Sequence, residues 1–300
     1  DLSRSILINR GYYEIITYGF IDPKIHYTFF PKICPLVISN PISQEMSCMR
    51  FSLCPGLLKT VSYNKNRQIN SMRFFEIGLC FKPDKYELLG VKQDIFLGAV
   101  VSGDFLSESW YSIKRKIDFY DLKGDLESIL DQICGLHHIQ FKKKCMFGFH
   151  PEQSAEIYFN NQSIGYIGAI DPRLEKKLDV SPETFVFEIS LKNIKWVNTY
   201  DIQEISKFPS SRRDISILIS QDVPVSDVIK TFQNIFMDKR VEINLFDVYP
   251  YQGVNSNYKS VGISIIFEDL QKTLIDNEIN LMMDNCIGVL KKKFQAILRK

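Results

Sequence analysis

Two stretches in the last third of the chain alternate apolar and small residues, and they limit the fold more than any other feature. "RDISILIS" (213–220) sets Ile215, Ile217 and Ile219 on one side of an extended strand, and "KSVGISIIF" (259–267) does the same with Val261, Ile263, Ile265 and Phe267. A period of two is that of a strand with one buried face. Helical stripes follow each strand. "PVSDVIKTFQNIF" (224–236) aligns Val225, Val228, Ile229, Phe232 and Phe236, with Pro224 suited to a first-turn position. "DNEINLMMDNCIGVLKKKF" (276–294) buries Ile279, Met282 or Met283, Cys286, Val289 and Leu290. "VEINLFDVY" (241–249) adds a strand, and "AILR" (296–299) a short final one. The order βαββαβ is the split βαβ, or ferredoxin-like, arrangement.

In that arrangement both helices cover one face of the sheet and leave the other open. Parity then sends Ser216, Ser260, Gly262 and Ser264 to the open face. On strand 241–249 it turns Phe246 and Val248 inward and Asp247 and Tyr249 outward. A flat, polar face with one aromatic suits single-stranded bases, which need stacking and edge hydrogen bonds. A solvated sheet face reads the same way. At the mouth of the first strand, "KFPSSRRDISILI" (207–219) places Arg212 and Arg213 before Asp214. Arg213 and Asp214 either pair with each other or cap the sheet edge.

Charge decides little. The chain holds 37 Lys+Arg against 35 Asp+Glu, and residues 207–300 hold 13 against 11, which leaves 24 against 24 for the remainder. Any grip on RNA is therefore a local patch. No apolar run is long enough to span a membrane. "DLSRSILINRGYY" has no signal-peptide core, and a start at Asp1 rather than Met reads as a piece of a longer, cytoplasmic protein. Seven Cys without a C-x-x-C pair read as reduced, mostly buried thiols. The four His form no ligand pattern.

"WVNTYDIQEIS" (196–206) loses apolar periodicity and reads as a linker between a module over 1–195 and a second over 207–300. In the first module strands are predicted at 13–21, 35–39, 73–81, 94–103, 155–160, 163–170 and 184–190, and helices at 53–67, 118–134 and 172–179. Hairpins without a βαβ rhythm predict an α+β fold with a mainly antiparallel sheet. Asn161-Gln162-Ser163 reads as a hairpin turn rather than a glycosylation site. Asp118, Asp121, Asp125 and Glu127 read as a solvated first helical turn rather than a metal cluster. His150 has no Ser or Cys partner at a readable spacing, which argues against nucleophilic catalysis.

"RGYYEIITYGFI", "NPISQEMSCMRFSLCPGLLKTVSYNKNR", "RFFEIGLCF", "DFYDLKGDLESIL", "HPEQSAEIYFNNQSIGYIGAIDP" and "FPSSRRDISILI" occur in that order. Together they closely resemble the C-terminal half of the β subunits of bacterial phenylalanine–tRNA ligases. The resemblance implies an antiparallel class II synthetase-like module, catalytically silent, followed by a ferredoxin-fold anticodon-binding domain. It also implies editing and magnesium-associated domains ahead of residue 1. The implied partners are tRNA(Phe) and a catalytic α subunit, in a heterotetramer of two α and two β that attaches phenylalanine to tRNA. ATP and Mg would belong to the whole complex, with none bound by this segment, and no membrane is involved. Anticodon contacts carry over to Asp247, Tyr249, Ser260 and Ser216, and Arg212 and Arg213 would lie along the RNA backbone. Leu53, Leu57, Leu58 and Val61, at helical spacing, pack either against α or against their own sheet.

Class II adenylation requires arginines that neutralise phosphate charge. "MRFFEIG" offers Arg73 and Glu76, but "GYIGAIDPR" lacks the G-x-G-x-x-x-R spacing. Arg73 is read as structural, and no catalytic residue or metal ligand is assigned. One departure from the family lies at the second helix of the last domain. Ile275 stands where Thr or Ser is common, and Asp276 is expected to become the N-cap, one residue later. Two other readings compete. An amino-acid-sensing regulatory domain would want glycine in the loop "SQDVPVS" (220–226), which has none. A general RRM-type RNA binder would want outward aromatics on "KSVGISIIF", which are also missing.

Overall fold

The computed structural model describes residues 1–87, 90–111, 113–192, 194, 204–236, 240–251 and 257–299. The chain divides into two units, Asp1–Thr199 and Tyr200–Lys300. Residues 196–203 of the expected linker lie outside the described residues.

The first unit runs α1 (Leu2–Asn9), β1 (Tyr13–Glu14), β2 (Phe20–Ile21), α2 (Pro23–Phe29), β3 (Cys48–Met49), α3 (Cys54–Lys65), β4 (Ser71–Pro83), β5 (Val91–Gly103), α4 (Phe119–Cys134), β6 (Ile139–Lys143), β7 (Phe149–Phe159), β8 (Gln162–Ile170), α5 (Pro172–Leu178) and β9 (Thr184–Ser190). Its main sheet has the order β1-β4-β5-β9-β8-β7-β6. The pairs are antiparallel except β1 with β4. Strand alternation gives the sheet two buried faces. On one face, Leu122, Leu126, Ile129 and Leu130 of α4 pack with Phe75, Leu97, Ala99, Val101 and Phe187. On the other, α3 packs Leu53, Leu57, Leu58 and Val61 with Met72, Phe96, Val100 and Val186. Gly98 permits that approach, because a Cβ there would sit 3.0 Å from Leu57 and 3.2 Å from Leu53.

Local chemistry sets the boundaries. A capping box between Asp118 and Asp121 opens α4. Asn160 and Asn161, both at positive φ (47° and 64°), close the two-residue β7–β8 hairpin where the sequon lies. The single strand expected over 13–21 is instead β1 and β2. Thr17 breaks it, since its N–H and hydroxyl both donate to the Glu76 carboxylate rather than to a neighbouring strand. The strand expected at 35–39 reduces to one bridge between Val37 and Cys48. Five cysteines are buried and two exposed, and none is bonded to another. No helix among the described residues is long and apolar enough to cross a membrane.

The second unit runs β10 (Ser211–Ser220), α6 (Val225–Ile235), β11 (Arg240–Pro250), β12 (Tyr258–Glu268), α7 (Asp276–Phe294) and β13 (Ile297–Leu298), with the all-antiparallel order β11-β12-β10-β13. This is the ferredoxin-like order that the sequence predicts. Ile215, Ile217, Ile219, Val261, Ile263, Ile265 and Phe267 pack against Val228 and Phe232 of α6 and Ile279, Met283, Cys286 and Leu290 of α7. Pro224 is the N-cap of α6, one residue ahead of the first-turn position expected. The expected shift at α7 does not occur. Ile275 stays at the N-cap without a side-chain bond, and Asp276 begins the helix. The Asp276 carboxylate is engaged by Arg213 instead.

Candidate nucleic-acid interface

Register places the open face residue by residue. Across β11, β12 and β10, Tyr249 stands opposite Ser260, which stands opposite Leu218. One row on, Asp247 pairs with Gly262 and Gly262 with Ser216. Directly opposed residues share a face, so Ser216, Asp247, Tyr249 and Ser260 lie on the side away from the helices. The Asp247 carboxylate is exposed and, among the described residues, meets no cation or donor. Tyr249 is half-buried.

The face is not flat. Ser260 has no exposed surface and Ser264 is buried too. Ser260 Oγ lies 3.4 Å from Ser216 Oγ. The small residues of β12 are therefore a floor beneath longer side chains from the flanking strands. Ser260 thus lies at the bottom of this face, beside Ser216, rather than on its exposed rim.

Phe246 is a second correction. The ladder skips it, because Leu245 pairs with Ile263 and Asp247 with Gly262. This β-bulge adds one residue and shifts the parity beyond it. A Cβ built on Gly262 would lie 2.8 Å from Phe246 Cε2 and 2.9 Å from its Cζ. The Phe246 ring thus lies over Gly262 on the open face, not inward. Sequence parity also missed Arg299, whose N–H donates to Ser216 O and whose guanidinium lies 5.6 Å from the Tyr249 ring centroid. The residue just beyond β13 returns to the first strand, and that return was the only available signal.

The two arginines separate. Arg212 faces the open side and makes an exposed fork with Asp214, Nε to Oδ1 at 2.8 Å and Nη2 to Oδ2 at 3.2 Å. Arg213 pairs across from Ile265 on the helix side and reaches Asp276. Adjacent strand residues point to opposite faces, so Arg212 and Arg213 do not form one patch. Asp214 takes Arg212 rather than Arg213.

The candidates of the first unit are internal. Leu53, Leu57, Leu58 and Val61 are at most 1% exposed within their own unit. They pack on their own sheet, the second of the two alternatives their spacing left open. Arg73 and Glu76, three residues apart on β4, lie on opposite faces of the sheet. Arg73 donates to Asp125 Oδ2 at 2.8 Å, and Arg10 and Tyr12 share the same carboxylate. Burial foremost, and then Asp125, push the Tyr12 hydroxyl well above its ordinary pKa. Glu76 is held by Arg50 and Thr17. The pair does not fit a nucleotide phosphate. The four acids of α4 also separate: Asp118 caps, Asp121 takes a fork from Arg115, Asp125 is buried, and Glu127 meets Lys123.

Residues 1–191 match the family model described as the CLM domain of the phenylalanyl tRNA synthetase beta chain, and residues 206–299 match the ferredoxin-fold anticodon binding domain. The chain belongs to the phenylalanyl-tRNA synthetase β-chain family. It is 60% identical over 298 residues to the phenylalanine–tRNA ligase beta subunit of Buchnera aphidicola subsp. Acyrthosiphon pisum, covering 99% of this chain and 38% of that protein. With the same subunit of Photorhabdus laumondii it shares 45% identity over 296 residues, 99% of this chain and 37% of that one. The chain thus spans about 38% of the length of the curated relatives it matches, less than the half that its motifs imply. Among solved structures, a pyrrolysyl-tRNA synthetase from Desulfitobacterium hafniense is 13% identical over 63% of this chain and 64% of that one, with a TM-score of 0.48. A likeness at that level carries no weight.

Proposed function

We propose that this chain is the tRNA-gripping part of a phenylalanine–tRNA ligase β subunit. Its second unit binds the anticodon of tRNA(Phe), and its first unit helps hold a catalytic α subunit in a cytoplasmic α/β heterotetramer. ATP and magnesium act elsewhere in that complex, and this segment supplies no catalytic group. The observation that carries the reading is the register that sets Asp247 and Tyr249 two residues apart on the open face, beside Ser216. A carboxylate accepts hydrogen bonds from base-edge donors and repels phosphate, so Asp247 suits a base rather than a backbone. The Tyr249 ring offers a stacking surface. Arg212 suits the backbone, because its exposed pair with Asp214 is loosely held and exchangeable for a phosphate.

In the first unit the inner side of α3 is spent on the sheet, so the α contact is proposed on its outer side. There Tyr63 and the exposed Ile16 and Tyr18 line an open cleft of about 370 Å³.

Filter binding of the assembled ligase to tRNA(Phe) tests the anticodon assignment. A lost base–aromatic stack costs about 1–3 kcal/mol. Tyr249→Ala should therefore bind roughly 5- to 150-fold more weakly, and Tyr249→Phe should bind nearly as the parent does. If folded Tyr249→Ala binds as tightly as the parent, the open face is not the anticodon site.

A further inference from the structure

We propose that Phe246 is a second base-stacking platform of this face, separate from Tyr249; the inference rests on the reading of the face as an RNA site. Three observations carry it. Phe246 is the extra residue of the β11 bulge, so the ladder does not require it, and a bulge re-aims the side chain it carries. Its ring projects over the open face directly above Gly262, where any Cβ would collide with it. Glycine in mid-strand is disfavoured by its entropy and its missing side chain, and it recurs where something must approach closely. The thing that approaches here is the aromatic ring.

The third observation is exposure. Phe246 is 55% exposed, and among the described residues no other ring lies against it. A phenylalanine used only to fill space would be covered. Its Gly262 seat lies one row along β12 from Ser260, the residue opposite Tyr249, which sets the two seats about 7 Å apart. The exposed Asp247 carboxylate lies between the two aromatics in sequence, and Ser216 lies across from the glycine. Two aromatic surfaces with a base-edge acceptor between them accommodate two bases of one strand, each stacked on its own ring. A base has a π-face whatever its identity, so the Phe246 platform adds affinity more than selectivity.

The test uses the assembled ligase and an anticodon stem–loop RNA carrying 2-aminopurine at one loop position at a time, because stacking on a ring quenches that base. Phe246→Leu keeps an apolar lid over Gly262 and removes only the π-face. It should weaken binding roughly 5- to 150-fold and restore fluorescence at one position, while Tyr249→Ala restores it at a different one. Phe246→Tyr should retain both affinity and quenching. Parent-like binding by Phe246→Leu, alongside weakened Tyr249→Ala, overturns the second platform and leaves the anticodon face standing. Equal loss in Phe246→Tyr and Phe246→Leu, or both rings silencing the same base, also overturns it. If neither Phe246→Leu nor Tyr249→Ala weakens binding, the face itself is not the RNA site and both proposals fall.

Discussion

Arg50→Met should strand a buried carboxylate. Arg50 and Glu76 are 8% and 3% exposed at their side chains, and Nη1 donates to Oε1 at 2.6 Å. The same guanidinium donates to Thr17 Oγ1 at 3.1 Å and, through Nε, to Leu79 O at 2.8 Å. It lies against Gly78, where a Cβ would stand 2.2 Å from Nη2. Removing one partner of a buried pair costs about 3–5 kcal/mol, because the remaining charge is left without water or counter-charge. Glu76 keeps two donors from Thr17, the hydroxyl at 2.7 Å and the N–H at 3.3 Å, which places the expected loss near the lower end, about 3 kcal/mol. That is a large part of the stability of an ordinary domain. Urea unfolding followed by far-ultraviolet circular dichroism reads it as a lower midpoint at unchanged slope. Adding Glu76→Gln replaces the stranded charge with an amide whose oxygen still accepts from Thr17. The double variant should recover about 1 kcal/mol or more. A single variant that loses under about 1 kcal/mol, or a double variant no more stable than the single, refutes the reasoning.

Two further outcomes follow from the same unit. Leu57→Ala, beneath α3 with no exposed surface, should lose about 2–5 kcal/mol in urea unfolding, whereas a loss within about 0.5 kcal/mol would return α3's apolar side to the surface. Glu188 is buried, and its carboxylate accepts from Ser52 Oγ at 2.7 Å and Leu53 N at 2.6 Å, at the start of α3. Burial raises its pKa above the ordinary 4.5 despite those donors. The folded state therefore holds this proton more tightly than the unfolded chain. Its contribution is fully present below pH 4.5 and is lost as pH rises through the folded pKa. Glu188→Gln should gain stability relative to the parent as pH rises from 5 toward 8, and a difference that stays constant with pH would refute this.

Where a face is buried on one side only, the sequence was readable. Ile215, Ile217 and Ile219 could face only one way, and the same row fixed Ser216. The strand and helix order of the second unit followed from such rows. The reading failed where a single residue breaks the period. A bulge has no signature in alternation, so "LFDVY" parsed as a regular strand and Phe246 was turned inward. It failed again where a side chain replaces the ladder, as Thr17 does by turning to Glu76. The short α1 and α2 and strand β6 were missed because none extends far enough to show a period. Leu53, Leu57, Leu58 and Val61 were rightly seen as one stripe, but a stripe does not say what covers it. Ser260 shows the converse, since parity gives the face of a side chain and not its exposure.

The bulge in β11 has a consequence for solubility. β11 is an edge strand of eleven residues, and Leu245, Phe246 and Val248 on it are all more than 40% exposed. A long, straight, apolar edge is a template on which the edge of another copy can add, strand to strand, without limit. An extra residue near its middle twists the strand and interrupts the even row of free amide and carbonyl groups that such growth requires. The feature that lifts a ring onto the open face also keeps a greasy edge from becoming a seed for aggregation.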